Sequence, residues 1–194
     1  MVVGDRDHDH LLGGGVGRDL LDLGADRVGC AEHEPAADLG LPYAFADFIN
    51  SDGGADIAKL YRERFTDSER LLAPRTAVAV WAIAADTEAE AQRLAYSSRM
   101  AMAMLRRGRL IAVPPVEKAE RFLKGEGLLD KAPGRRLALG TPDRVRAELE
   151  SVAASYEADE VIVVSITFDH EARRRSYELI AEAFGLRAQL ARVA

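Results

Sequence analysis

The sequence predicts an α/β protein whose parallel strands alternate with helices. Three observations carry this. Residues 76–85 (TAVAVWAIAA) and 160–166 (EVIVVSI) are apolar on both pleat faces, as strands covered on both sides of a parallel sheet are. Segments of helical period with clear start and stop signals lie between and after them. The resulting order of strand, helix, strand, helix, insertion, helix, strand, helix is that of right-handed βαβ units.

Each element has a local reason. Residues 41–46 (LPYAFA) are apolar and aromatic between Gly40 and Asp47, which suits a short buried strand. Turn residues 50–54 follow, then a helix over 55–65 with Ile57, Leu60, Tyr61 and Phe65 on one face. After the 76–85 strand, Thr87 and Glu90 form a capping box for a helix running to Leu105, where Arg106 and Arg107 suit the negative end and Gly108 closes it. Residues 108–136 carry three prolines within a glycine-bearing stretch and read as an irregular insertion with one short helix at 116–123; such a segment can serve as a lid. Thr141 as N-cap and Pro142 at the first helical position start the next helix, with Val145, Leu149, Val152 and Tyr156 inward. After the 160–166 strand, Asp169 caps a last helix with Tyr177, Ile180, Ala181 and Phe184 inward. Three strands are too few for a closed barrel, so a small open sheet and part of a barrel both remain open.

The chain has 194 residues and 21.1 kDa, enough for one domain. Its 26 basic and 32 acidic side chains give a net charge of −6, the wrong sign for general nucleic-acid binding. Cys30 is alone, which excludes an internal disulfide and suits a reducing cytoplasm. The first ten residues lack a signal-peptide pattern, and no apolar run is long enough to cross a membrane. A cytoplasmic location is expected. Residues 1–35, with Gly13, Gly14, Gly15 and Gly17 close together, read as a weakly ordered and atypical segment; residues 36–194 read as the folded domain.

Four blocks resemble the bacterial luciferase-like flavin-dependent monooxygenases, in the same order: residues 36–46 (AADLGLPYAFA), 77–90 (AVAVWAIAADTEAE), 140–149 (GTPDRVRAEL) and 158–177 (ADEVIVVSITFDHEARRRSY). Together they span about residues 36–184. The resemblance implies a partial (β/α)8 TIM barrel whose N-terminal half is missing, with the three predicted strands as its sixth, seventh and eighth. It also implies reduced FMN supplied by a separate flavin reductase, molecular oxygen and a small organic substrate, with no metal. The family's Gly-Ser-Ser loop for the flavin phosphate corresponds here to Gly29, Cys30 and Ala31; the glycine is kept, the serines are not, and Glu32 and Glu34 add charge unfavourable to a phosphate. The change of pattern near Ala36 is what a frameshift or misplaced start would produce. A barrel lacking half its strands exposes strand edges, so a homodimer is expected, and an inactive or merely flavin-binding remnant is the competing reading.

The candidate site residues lie where strands end. Asp47 and Phe48 follow the first strand, on the rim that faces flavin and substrate in the resembling family; Phe48 serves equally as a packed loop aromatic. Asp169 and His170 follow the last strand, at the carboxyl end where parallel barrels place chemistry, although an N-cap with a surface neighbour explains them as simply. Catalytic side chains are not named, because the chemistry of such an enzyme belongs to the cofactor. Trp81 reads as core. His8 and His10 among Asp5, Asp7 and Asp9 lack metal-ligand spacing and read as a solvated tail, and residues 13–17 (GGGVG) follow no strand and read as a linker.

Overall fold

The computed structural model describes residues 35–49, 52–129 and 137–186. Its elements are β1 (Tyr43–Phe45), α1 (Gly54–Arg64), β2 (Thr76–Ala84), α2 (Glu88–Arg106), α3 (Val116–Gly125), β3 (Ala138–Gly140), α4 (Pro142–Tyr156), β4 (Glu160–Val164) and α5 (His170–Ala183). All strand pairings are parallel and all involve β2. Residues Tyr43, Ala44 and Phe45 pair with Thr76, Ala77 and Val78, while Glu160 to Val164 pair with Ala77 to Trp81. Ala77 and Val78 thus pair with both β1 and β4, which lie on opposite edges of β2. Ala138 to Gly140 pair with Ala82 to Ala84, nearer its carboxyl end.

The two faces of β2 have different covers. Val78, Val80, Ala82 and Ala84 enter one core with Ala58 of α1, with Val145, Leu149, Val152 and Tyr156 of α4, and with Leu179 and Ile180 of α5. Ile83 and Ala85, pointing the opposite way by the period-2 alternation of a strand, pack against Ala91, Leu94 and Ala95 of α2 and Leu139 of β3. Helix α2 therefore sits on the other face from the α1, α4 and α5 layer. It carries α3 with it, through a third cluster of Met100, Met104 and Ala119. The described part of the 108–136 insertion is an extended run and a helix docked on α2.

Most sequence expectations hold here, with corrections. The stripe of α4 is as expected, all four residues being buried, and Trp81 is 4% exposed. Thr87 accepts a hydrogen bond from the Glu90 N–H, and Asp169 accepts one from Ala172. Thr141 sits at the N-cap but makes no side-chain capping bond; its N–H instead donates to Glu88 Oε1 at 3.1 Å. The first strand is shorter than residues 41–46, because Pro42 has no N–H for the ladder. In α1 the buried face is Gly54, Ala58 and Tyr61, with Leu60 39% exposed. In α5 it is Ser176, Leu179 and Ile180, with Tyr177 41% exposed. Ser176 turns inward because its hydroxyl accepts the Ala84 N–H at 2.9 Å. The β3 pairing was not expected from sequence. Among the described residues no helix is long and apolar enough to cross a membrane.

The amino ends of β2 and β4 are clamped by Asp159. Its carboxylate accepts the Thr76 N–H at 2.8 Å and its own N–H returns a bond to the Thr76 carbonyl at 2.8 Å. Arg62 adds a charged bond to the same carboxylate. The Thr76 N–H, chiefly, holds the Asp159 pKa below its ordinary value. Such a group contributes stability that is present above its unfolded-state value and is lost as pH falls through the lowered folded value. Urea midpoints measured from neutral into acid are expected to fall less steeply on the acid side in Asp159→Asn, from a lower plateau at neutral pH. Just before the clamp, Glu157 ends α4 at φ 47°, a left-handed conformation costly for a residue with a Cβ. Glu157→Gly is expected to raise unfolding stability by about 1 kcal/mol in the same assay.

Candidate functional site

In a parallel sheet the strands' carboxyl ends, with the loops that leave them, are where ligands bind. Three exits meet this description: residues 46–49 after β1, 165–169 after β4, and the α2–α3 hairpin after β2.

At the first exit, Asp47 is fully buried and its Oδ1 accepts the Tyr156 hydroxyl proton at 2.8 Å. Tyr156 also packs its ring on Phe45, with centroids 5.4 Å apart. Gly54, the first residue of α1, lies so close to both that any Cβ would collide with the Tyr156 hydroxyl and the Phe45 ring. The pair therefore joins the loop after β1 to the end of α4 and the start of α1, and only glycine fits the junction. Phe48 is half-buried and its N–H donates to the Ala79 carbonyl at 3.1 Å, continuing the β1–β2 ladder into the loop.

At the last exit the polypeptide turns sharply from β4 into α5. Ser165 and Thr167 are buried; the Thr167 hydroxyl donates to the Asp169 carbonyl at 3.0 Å, and the Ser165 N–H donates to the Tyr177 hydroxyl at 3.1 Å. Phe168, between them and the helix, stands 48% exposed. Asp169 caps α5, and exposed His170 places Nδ1 2.8 Å from an Arg173 guanidinium nitrogen. Two side-chain donors at this end, the Trp81 indole N–H and the Ser165 hydroxyl, are buried with no hydrogen-bond partner among the described residues. Trp81 pairs in register with Val164 at the carboxyl end of β4 and shares the pleat face of Ile83.

Beside Phe168 a cavity of about 530 Å³ opens against Met100 and Met104 of α2, Arg109, residues 111–115 and Lys118 of α3. Sequence reasoning pointed to the insertion as a whole and missed the cations that line this space, Arg109 and Lys118. It also missed the Asp47–Tyr156 pair, whose members are 109 residues apart. Gly29, Cys30, Ala31, His8, His10 and the 13–17 glycines lie outside the described residues. Asp47, Phe48, Asp169 and His170 all fall on strand exits, Asp47 bound to a tyrosine of α4 and Asp169 to the backbone of α5. Among the described residues no group of three or more His, Cys, Asp or Glu is placed to hold a metal ion.

No family model matches the chain. A luciferase-like monooxygenase from Escherichia coli strain K12 is 36% identical over 146 residues, which make up 74% of this chain and 44% of that protein. An uncharacterized protein of Bacillus subtilis, YvbT, is 37% identical over 151 residues, 77% of this chain and 45% of that one. The crystal structure of apo-MsnO8 superposes with a TM-score of 0.72 at 35% identity, covering 79% of this chain and 48% of the other. The chain spans a little under half the length of these relatives.

The buried Asp47–Tyr156 bond generates a direct test. Tyr156→Phe is expected to cost about 1–3 kcal/mol of unfolding stability by denaturant titration. In a double-mutant cycle with Asp47→Asn the two losses should fall short of additivity, as they do for side chains in contact.

Proposed function

Because this chain belongs, over the matched part of its length, to the luciferase-like monooxygenase family, we propose that it provides the carboxyl-end rim of a flavin-dependent monooxygenase acting on a small organic substrate. The cofactor is FMN in its reduced form, delivered by a separate flavin reductase, and the co-substrate is molecular oxygen. The observation that carries this reading is the buried Trp81 indole N–H, without a hydrogen-bond partner among the described residues, at the carboxyl end of β4, with the Ser165 hydroxyl one residue beyond its register partner Val164. A buried donor without an acceptor is costly, and a planar group edged with carbonyl oxygens supplies what these donors lack. The residues present therefore fit a flavin ring. The family resemblance implies that Phe48 packs on the ring and that Gly29, Cys30 and Ala31 correspond to its phosphate loop; to these the Trp81 indole N–H would add a donor.

When bound, reduced FMN supplies the electrons that activate oxygen. The protein's share is to orient the substrate and to exclude water. Phe168, Met100 and Met104 present apolar surface at this end, and Asp169 fixes the turn that carries Phe168. Asp47 and His170 belong to the rim rather than to a named acid or base role.

A second reading is a flavin-binding or inactive remnant that dimerises. It is favoured by β4, whose Ile162 is 43% exposed at mid-strand. Titration of the full chain with FMN, following flavin emission and the emission of Trp81, the single tryptophan, separates these ideas from the absence of any site. Saturable binding in the micromolar range is expected, with quenching of Trp81. Turnover of added substrate with a flavin reductase then distinguishes an enzyme from a binding remnant. A folded chain that leaves FMN emission unchanged contradicts both flavin readings.

A further inference from the structure

The cavity beside Phe168 has a chemistry of its own. Its walls are apolar: Met100 and Met104 come from α2, Ile111 and Pro114 from the extended run, and Phe168 from the β4 exit. A volume of about 530 Å³ lies within the usual range for small-molecule sites. Methionine side chains adapt to irregular apolar ligands. The half-exposed Phe168 ring is a large apolar surface that a bound molecule would cover.

The charged residues on this lining are Arg109 and Lys118, both cations; among the described residues no acid lines it. Two arginines of the same hairpin are neutralised, Arg107 by Glu126 and Arg93 by Glu90 and Glu117. Among the described residues Arg109 and Lys118 have no carboxylate partner. The position of Arg109 is set by how α2 ends. Gly108, at φ 71°, lets the Gly108 N–H bond the Leu105 carbonyl and the Arg109 N–H bond the Met104 carbonyl, so that Arg109 leaves the helix beside a wall residue of the cavity. Lys118 stands in the first turn of α3, which Ala119 anchors against Met100 and Met104.

We propose that this cavity binds a compact amphipathic carboxylate, its apolar body against Met100, Met104 and Phe168 and its acid group between Arg109 and Lys118. Arginine meets a carboxylate through two parallel N–H bonds, and lysine adds a second positive charge. As the substrate class of the monooxygenase proposed above the inference rests on that reading; as a binding site it does not, because its test contains no flavin.

Calorimetric titration of the full chain with phenylbutyrate, phenylbutanol and phenylbutylamine compares one apolar body with an anionic, a neutral and a cationic head. Phenylbutyrate is expected to bind with a stoichiometry near one, about tenfold more tightly than the alcohol, and the amine not at all. Arg109→Gln and Lys118→Gln should each weaken phenylbutyrate by roughly three- to tenfold, in line with a solvent-accessible charge pair or a charge-assisted bond, and leave the alcohol unchanged. Both positions are exposed, so these variants keep the wild-type denaturation midpoint. Absence of saturable phenylbutyrate binding overturns the proposal. So does equal affinity for acid and alcohol, or wild-type phenylbutyrate affinity in both variants. Failure here with FMN binding intact removes the acid site alone; loss of FMN binding with phenylbutyrate retained removes the flavin reading alone.

Discussion

The fold depends on β2, which pairs with every other strand described and sends side chains into two apolar clusters. Its nine residues give backbone partners to β1, β3 and β4, and their side chains enter two separate apolar clusters. A strand so placed cannot shift register by one residue without turning each cluster toward the wrong layer. The other elements are secured to it at defined points: Asp159 joins the start of β4 to Thr76, and Ser176 of α5 accepts the last strand N–H at Ala84. The surface ion pairs, such as Arg175 with Asp86 and Arg144 with Glu88, tie α5 to the loop after β2 and the start of α4 to the start of α2 but contribute little each.

That arrangement explains where the chemistry can lie. One face of β2 is covered by α1, α4 and α5. On the other face α2 covers only the carboxyl-end residues Ile83 and Ala85, and its hairpin partner α3 extends that cover sideways. The exit of β4 and this hairpin therefore bound the space lined by Phe168, Arg109 and Lys118. A flavin-dependent oxygenase needs such a space, apolar enough to exclude water and with a few donors to fix orientation.

Much of this was legible in sequence because the signals were local. The α4 stripe repeats at spacings of three and four residues, and Thr87 and Asp169 are caps with bonds to residues three positions on. The strands 76–84 and 160–164 were visible as β-branched runs. What sequence misplaced were helix faces carrying small or polar buried residues: Ser176 turns inward for a backbone hydrogen bond and takes α5 with it, leaving Tyr177 outside. Periodicity alone also gave no sign that α2 covers the opposite face from α4, since both are amphipathic. The Asp47–Tyr156 pair and the Arg109–Lys118 lining join residues on different elements, and no short-range pattern marks them. The flavin and luciferase-like reading came from resemblance of four blocks, not from any catalytic motif.

Amide hydrogen exchange resolved along the purified full chain measures most directly whether β2 organises this structure. The account predicts that residues 78–84 exchange slowest, at the rate of global unfolding, with 160–164 close behind and residues 109–115 much faster. Equally fast exchange across 78–84 and 109–115 would contradict it, because a strand bonded to three neighbours and buried among two apolar clusters cannot open as readily as an exposed loop.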